Sequence, residues 1–197
     1  MAEAPLATAI PSPDLTLKIS LAGNPGVGKS SVARRFVSNT FDAAYVPTLG
    51  TRVSSRRFSV PDAARPGATL SVGASVWDIM GSHQFQDLLK EAFFLNAGGV
   101  LLVFDVSRPE TFHDLPQWYE IVASVAGPVP AAILANKCDL TAERAVSAAE
   151  VDGMAREFRW PWFETSAKTG TNVEAAFESV AVERLRTLRA REAAANP

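Results

Sequence analysis

The sequence predicts an α/β fold in three layers: a six-stranded, mostly parallel sheet with one antiparallel edge strand and about five helices on its two faces. Three observations carry that expectation. Short apolar runs alternate with stretches of helical period along most of the 197 residues. Residues 100–104 and 131–135 are apolar without interruption, as in parallel strands covered on both sides. Only once do two strand-like runs follow directly, at 52–60 and 69–77, and the turn formers of residues 61–68 between them make a hairpin.

The elements follow in order. Leu15, Leu17, Ile19 and Leu21 alternate with Thr16, Lys18 and Ser20, the period of a strand. It runs into Gly23, Asn24, Pro25, Gly26, Val27, Gly28, Lys29 and Ser30, which has the form G-x-x-x-x-G-K-S. A loop of this form cradles phosphate, because its backbone N–H groups turn inward and the next helix adds its positive end. Lys29 is placed for the outer phosphates, Ser30 for Mg²⁺, and Ser31 completes the candidate cradle. Val32, Ala33, Phe36 and Val37 give residues 29–38 helical spacing, and a turn-like loop with Phe41, Tyr45, Pro47 and Thr48 follows.

After the hairpin, Trp77 and Asp78 end a strand, with Gly81 three residues beyond the carboxylate. Phe85, Leu88, Leu89, Ala92, Phe93 and Leu95 form the apolar face of a helix. Residues 111–126 are helical in pattern, with Pro116 in a first turn or at a kink. The 131–135 run ends in Asn136, Lys137, Cys138 and Asp139. Ser147 and Glu150 have capping-box spacing for a helix reaching residue 158. A brief strand at 162–165 leads into Ser166, Ala167 and Lys168, and the last helix runs from Val173 to about Ala190. In such a sheet ligands sit outside the carboxyl ends of the strands, so the four marked sequences converge on one rim.

Composition bounds the possibilities. A net charge of −2 argues against a nucleic-acid holder, which needs a basic face. One cysteine, Cys138, makes no internal disulfide and fits a reducing compartment. The chain has no run of 18 apolar residues. Residues 1–13 are expected to be a mobile leader, 14–191 one domain and 192–197 a short tail. The tail contains no cysteine for a lipid, so membrane contact is expected only peripherally or through a partner. Arginines 184, 186, 189 and 191 read as cations suited to a helix C-terminus rather than a membrane-facing patch.

Together these motifs resemble the Ras superfamily of small GTPases, nearest its Rab branch, over about residues 15–190. The resemblance implies the P-loop NTPase fold, GTP or GDP and Mg²⁺ as ligands, and GTP hydrolysis, which a departure at Ser82 is expected to make slow. It gives Asp78 a role at a metal-bound water, Gly81 an N–H for the terminal phosphate, and Thr48 a ligand position on Mg²⁺ when the third phosphate is present. Asn136, Lys137 and Asp139 look like the base-reading N-K-x-D, with Asp139 accepting from guanine. Ser166, Ala167 and Lys168 look like the S-A-K whose alanine N–H meets the guanine oxygen, Phe41 looks like the aromatic that packs against the base edge, and Tyr45, three residues before Thr48, joins the candidate nucleotide-binding residues. Effectors, an exchange factor and an activating protein are the implied partners of a protein monomeric when alone. Its implied place is the cytoplasm, a membrane surface or a transport complex.

The sequence also departs from the family pattern. Ser82 stands where the family has the glutamine that orients water, and a serine is too short for that task. His83 and Gln84 either substitute for it or are exposed loop residues, the second being the simpler reading. Pro25 stands where glycine is common, removing a donor and crowding the entry of a partner's arginine. The 61–68 connection is longer than a tight turn and is expected to be a solvated loop. Two alternatives to a cycling switch follow: a constitutively GTP-bound interaction subunit with vestigial hydrolysis, and a phosphotransferase, which would need an arginine-rich lid the sequence does not offer.

Overall fold

The elements run β1 (Leu15–Ala22), α1 (Lys29–Ser38), β2 (Thr51–Pro61), β3 (Thr69–Ile79), β4 (Gly99–Asp105), α2 (Pro109–His113), α3 (Leu115–Ala126), β5 (Ala131–Asn136), α4 (Ala148–Phe158), β6 (Trp162–Thr165) and α5 (Val173–Ala195). This computed structural model describes residues 12–44, 47–81 and 90–195. The six strands form one sheet in the order β2-β3-β1-β4-β5-β6. Only the edge strand β2 is antiparallel to its neighbour, β3; the other pairings are parallel. The expected α/β architecture is therefore the one found.

The two faces of the sheet carry separate apolar cores. On one, α1 and α5 meet through Phe36 and Phe177, whose rings stack at 3.8 Å between centroids and 7° between planes. On the other, Trp118 and Val122 of α3 and Val151 of α4 cover Leu102, Phe104 and Ile133. Burial of each large side chain contributes roughly 1.5–3 kcal/mol. Because helices lie on both faces, β4 and β5 are buried along their whole length. The same double cover ends the alternation of β1, whose last residues are all buried, Ser20 included.

Several local expectations are sharpened or corrected. The 111–126 stretch is two helices that meet at Asp114, and Pro116 sits in the first turn of α3, where a missing N–H costs nothing. The capping box at Ser147 and Glu150 forms as expected. The last helix continues beyond Ala190 to Ala195. Of the helix anticipated around Phe85–Leu95, residues 82–89 lie outside the described residues and 90–94 are helical. There Phe93 is buried as expected and Phe94 is buried with it, while Ala92 and Leu95 face outward.

The 61–68 connection is not simply solvated. Asp62 is buried and accepts from the Ala64 N–H at 2.9 Å, from Arg65 at 2.9 Å and from Arg189 of α5 at 2.7 Å. These contacts hold its carboxyl at about 2, the Ala64 hydrogen bond contributing most, against burial and with help from Arg189 and Arg65. Arg189, one of the four helix arginines, is thus committed to the hairpin.

Candidate functional site

The parallel strands end on one rim, and a cleft of about 610 Å³ opens there, lined from five segments of the chain. Its floor is the loop between β1 and α1. Gly28 has φ 101°, and a side chain there would collide with the Asn136 amide. Asn136 instead donates to the Val27 carbonyl at 2.8 Å, so the end of β5 braces the loop.

Lys29 opens α1 almost fully buried, donating to the carbonyls of Gly23 at 2.7 Å and Asn24 at 2.8 Å. Burial lowers its ammonium to about 8; Asp78 works against that shift and Arg108 with it. Pro25, Gly26, Gly28, Ser30 and Ser31 line the cleft with it. Asn24, expected in the cradle through its backbone, has its side chain engaged elsewhere: it donates to Asp114 at 2.6 Å and accepts from the Trp118 indole at 2.7 Å. It ties the loop to α3.

Above Lys29, the Ser30 and Thr48 hydroxyls lie 2.8 Å apart. Asp78 is buried near the end of β3, and among the described residues its Oδ1 has no hydrogen-bond partner. Burial raises its carboxyl, partly offset by the Ser30 hydroxyl and by Lys29, Arg52 and Arg34. Two hydroxyls with one orphaned carboxylate oxygen behind them fit Mg²⁺, an ion that takes few protein ligands and keeps waters and phosphate oxygens. Among the described residues no cluster of three His, Cys, Asp or Glu offers an all-protein metal cage. Gly81 lies so close to the loop that an added Cβ would come within 2.6 Å of Pro25 N and Lys29 Nζ.

At the other end of the cleft, Asn136 ends β5, Lys137 and Asp139 follow it, and Ala167 and Lys168 follow β6. Ser166, fully buried, donates to Asp139 Oδ1 at 2.6 Å and accepts from the Thr169 N–H. Thr165 donates to Asn136 Oδ1 at 3.3 Å. Phe41 lines the cleft from the loop after α1 and is 39% exposed. Tyr45, Ser82, His83 and Gln84 lie outside the described residues.

Two supports were not anticipated. Asp105, buried at the end of β4, pairs with Lys137 at 2.7 Å and Arg108 at 3.3 Å, and Arg108 also donates to the Pro25 carbonyl at 2.9 Å. Burial works to raise the Asp105 carboxyl, but Lys137 and the hydroxyl and N–H of Ser107 outweigh it and hold the carboxyl low. One carboxylate thus joins both ends of the cleft, and its position at the end of an apolar strand was the available signal. Arg35 holds the Ala167 and Lys168 carbonyls at 2.8 and 2.7 Å, fixing the 166–168 turn to α1.

Comparison with known proteins agrees with this geometry. A model of the Ras family matches residues 18–186. The chain is 32% identical over 169 residues to the Ras-related protein Rab-13 of Rattus norvegicus, covering 85% of this chain and 79% of that protein. It is 33% identical over 174 residues to the Ras-related protein RIC1 of Oryza sativa subsp. japonica, covering 88% and 82%. With the Ras-related protein Rab-42 of Mus musculus the identity is 37% over 168 residues, covering 83% and 74%. A cleft floored by a G-x-x-x-x-G-K-S loop, set in this sheet and matched along this much of the chain, makes the protein a member of the Ras superfamily of small GTPases, of the Rab-like kind.

Proposed function

We propose that the protein is a guanine-nucleotide switch that binds GTP or GDP with Mg²⁺ in this cleft, hydrolyses GTP slowly and presents its loops to effectors. The observation that carries the proposal is the convergence, in one cleft, of a phosphate-type floor at Gly28–Ser30 and a rigidly held carboxylate at Asp139. Asp139 accepts from the guanine N1–H and 2-amino group, the Ala167 N–H meets the guanine oxygen, and Lys137 lies along the base. Adenine lacks that donor pair and would leave Asp139 unpaired, which is the basis of selection. Phe41 packs at the edge of the base.

Lys29 and the N–H groups of residues 24–31 other than Pro25 hold the phosphates, and Gly81 offers its N–H to the terminal one. Ser30 and Thr48 would ligate Mg²⁺, with Asp78 acting through a water. Bound there, the ion would supply positive charge to offset that of the phosphates. Loss of the terminal phosphate removes the partner of Thr48 and Gly81, and so changes the surface offered to effectors around these two residues.

Slow hydrolysis follows from Ser82, which cannot place the attacking water as an amide does. Pro25 crowds the phosphate entrance, so an arginine from an activating protein works poorly there. The cellular role we assign is intracellular, vesicle or ciliary trafficking, through effectors and an exchange factor, in the cytoplasm or peripherally on a membrane. The described helices include none long and apolar enough to cross a membrane. No nucleic acid is a partner, and the protein is monomeric when alone.

Ser82 and Pro25 together also favour a second reading, a GTP-bound interaction subunit whose hydrolysis is vestigial. Single-turnover GTP hydrolysis of the parent, Ser82→Gln and His83→Ala tests the first. The expected result is slow turnover in the parent, unchanged by His83→Ala and raised at least about tenfold by Ser82→Gln. Fast turnover in the parent contradicts the Ser82 argument. Equal partner affinity in GDP and GTP-analogue forms, with GTP retained through purification, favours the second reading.

A further inference from the structure

Arg34 is a residue of the cleft wall that neither the phosphate loop nor the base end accounts for. It follows Ser30 by four positions on α1, so the two share one helix face. It lines the cleft with Ser30, Thr48 and Asp42, and its Nη1 lies 3.6 Å from Asp42 Oδ2. Asp42 belongs to the loop that carries Thr48 and caps its own turn by accepting from the Ala44 N–H at 2.9 Å. At 3.6 Å the ion pair is longer than a charge-assisted hydrogen bond, and both partners are partly exposed, Arg34 37% and Asp42 59%. A fixed cation on the helix is therefore covered by an anion that travels with the loop. The Arg34 charge is also felt at Asp78, the buried carboxylate behind Ser30.

We infer that Arg34 is a positioning residue for the metal end of the cleft: its guanidinium competes with Mg²⁺ for the same anionic groups, and Asp42 masks it while the 39–50 loop is docked. This rests on the Mg²⁺ and guanine-nucleotide reading above. When the loop leaves, Asp42 leaves with it, and an uncovered cation faces the metal position. Loop opening and loss of Mg²⁺ are thereby coupled through one side chain. The same cation holds the nucleotide's phosphates when the metal has gone, so the protein depends less on Mg²⁺ to keep its nucleotide than it would without Arg34. If Arg34 leaves retention in saturating Mg²⁺ unchanged, the factor by which it strengthens metal-free binding must equal the factor by which it weakens Mg²⁺ binding.

Release of a fluorescent N-methylanthraniloyl GDP, measured from submicromolar to millimolar free Mg²⁺, tests the coupling in the full chain. Arg34→Leu is expected to release nucleotide about tenfold faster in EDTA, to lower the Mg²⁺ midpoint for retention by about the same factor, and to match the parent in saturating Mg²⁺. Arg34→Lys, which keeps the charge, is expected to stay near the parent. Asp42→Asn uncovers Arg34 and is expected to raise the Mg²⁺ midpoint about twofold to threefold, an effect that vanishes when Arg34→Leu is added. An unchanged midpoint in Arg34→Leu overturns the inference. So does faster release by the same factor at every Mg²⁺ concentration, which is what a merely structural arginine would give. If the parent retains no guanine nucleotide at any Mg²⁺ concentration, the proposed function fails along with the inference, a result distinct from the other two.

Discussion

At the end of the cleft lined by Asn136, Asp139 and Ala167, the polar side chains that define the pocket are engaged by other parts of the protein. Ser166 holds Asp139, Thr165 holds Asn136, and Asp105 holds Lys137. At the end lined by Ser30 and Thr48, the opposing wall is a loop, one oxygen of Asp78 has no partner among the described residues and Lys29 turns back onto two carbonyls of its own loop. The first end is rigid before anything binds, and groups aimed by strands and braced by buried partners lose little freedom on binding, so they favour discrimination. The second end has groups whose partners are a ligand's to supply, so its arrangement depends on what is bound. On the proposed function, selection and switching fall to different ends of one cleft, and Asp105, Arg108 and Pro25 join those ends.

The strongest way to break that contrast is at the rigid end. Asp139→Ala is expected to weaken GDP binding about a hundredfold or more, because two hydrogen bonds to a charged acceptor are lost. It should leave the inorganic phosphate end, read by pyrophosphate binding, nearly unchanged. Titration calorimetry with GDP and with pyrophosphate checks both; equal losses for the two ligands would mean that the ends are not separate.

A smaller effect sharpens the contrast from the other end. Lys29 is lowered to about 8, chiefly by burial, and a bound phosphate stabilises its charged form and raises it again. Affinity for phosphate-bearing ligands is therefore full below that value and falls as pH rises through it. Between pH 7 and 8.5 the expected loss is about fourfold for GDP, while guanosine, which does not reach Lys29, is unaffected. Affinities of both ligands across that range provide the check, and parallel curves would count against a separate phosphate end.

The smallest expected effect lies outside the cleft and marks its limit. Asp62→Asn removes the charge that Arg189 and Arg65 pair with, and should lower the melting temperature by roughly 3–6 °C without changing nucleotide affinity. The Asp62 carboxyl is held below its unfolded value, so its contribution is present at neutral pH. It is lost as pH falls from the ordinary carboxylate range through about 2. Melting curves of parent and variant should accordingly converge at low pH.

What the amino-acid pattern revealed was whatever depends on local chemistry. The strand-loop-helix phosphate motif, the uninterrupted apolar strands, the capping box at Ser147 and the polar groups at strand ends all appear within a few residues of where they act. What stayed hidden depends on partners far away in sequence. Asn24 sits inside the motif, yet its side chain is claimed by Asp114 and Trp118, roughly ninety positions on. Asp62 resembles an ordinary turn residue until α5 brings Arg189 to it. Arg34 has no motif, and only the fold of the 39–50 loop sets Asp42 beside it. Around Phe93 the expectation missed the burial of Phe94 and the exposure of Ala92 and Leu95, because adjacent phenylalanines can both satisfy an apolar face and periodicity does not choose between them.

The central claim is that one cleft reads guanine at a rigid end and phosphate at a responsive one. Titrating GDP and ADP in the presence of Mg²⁺ into protein stripped of nucleotide tests it most directly. The expected result is GDP binding at least about a hundredfold tighter than ADP. Equal affinities, or tighter binding of ADP, would contradict it.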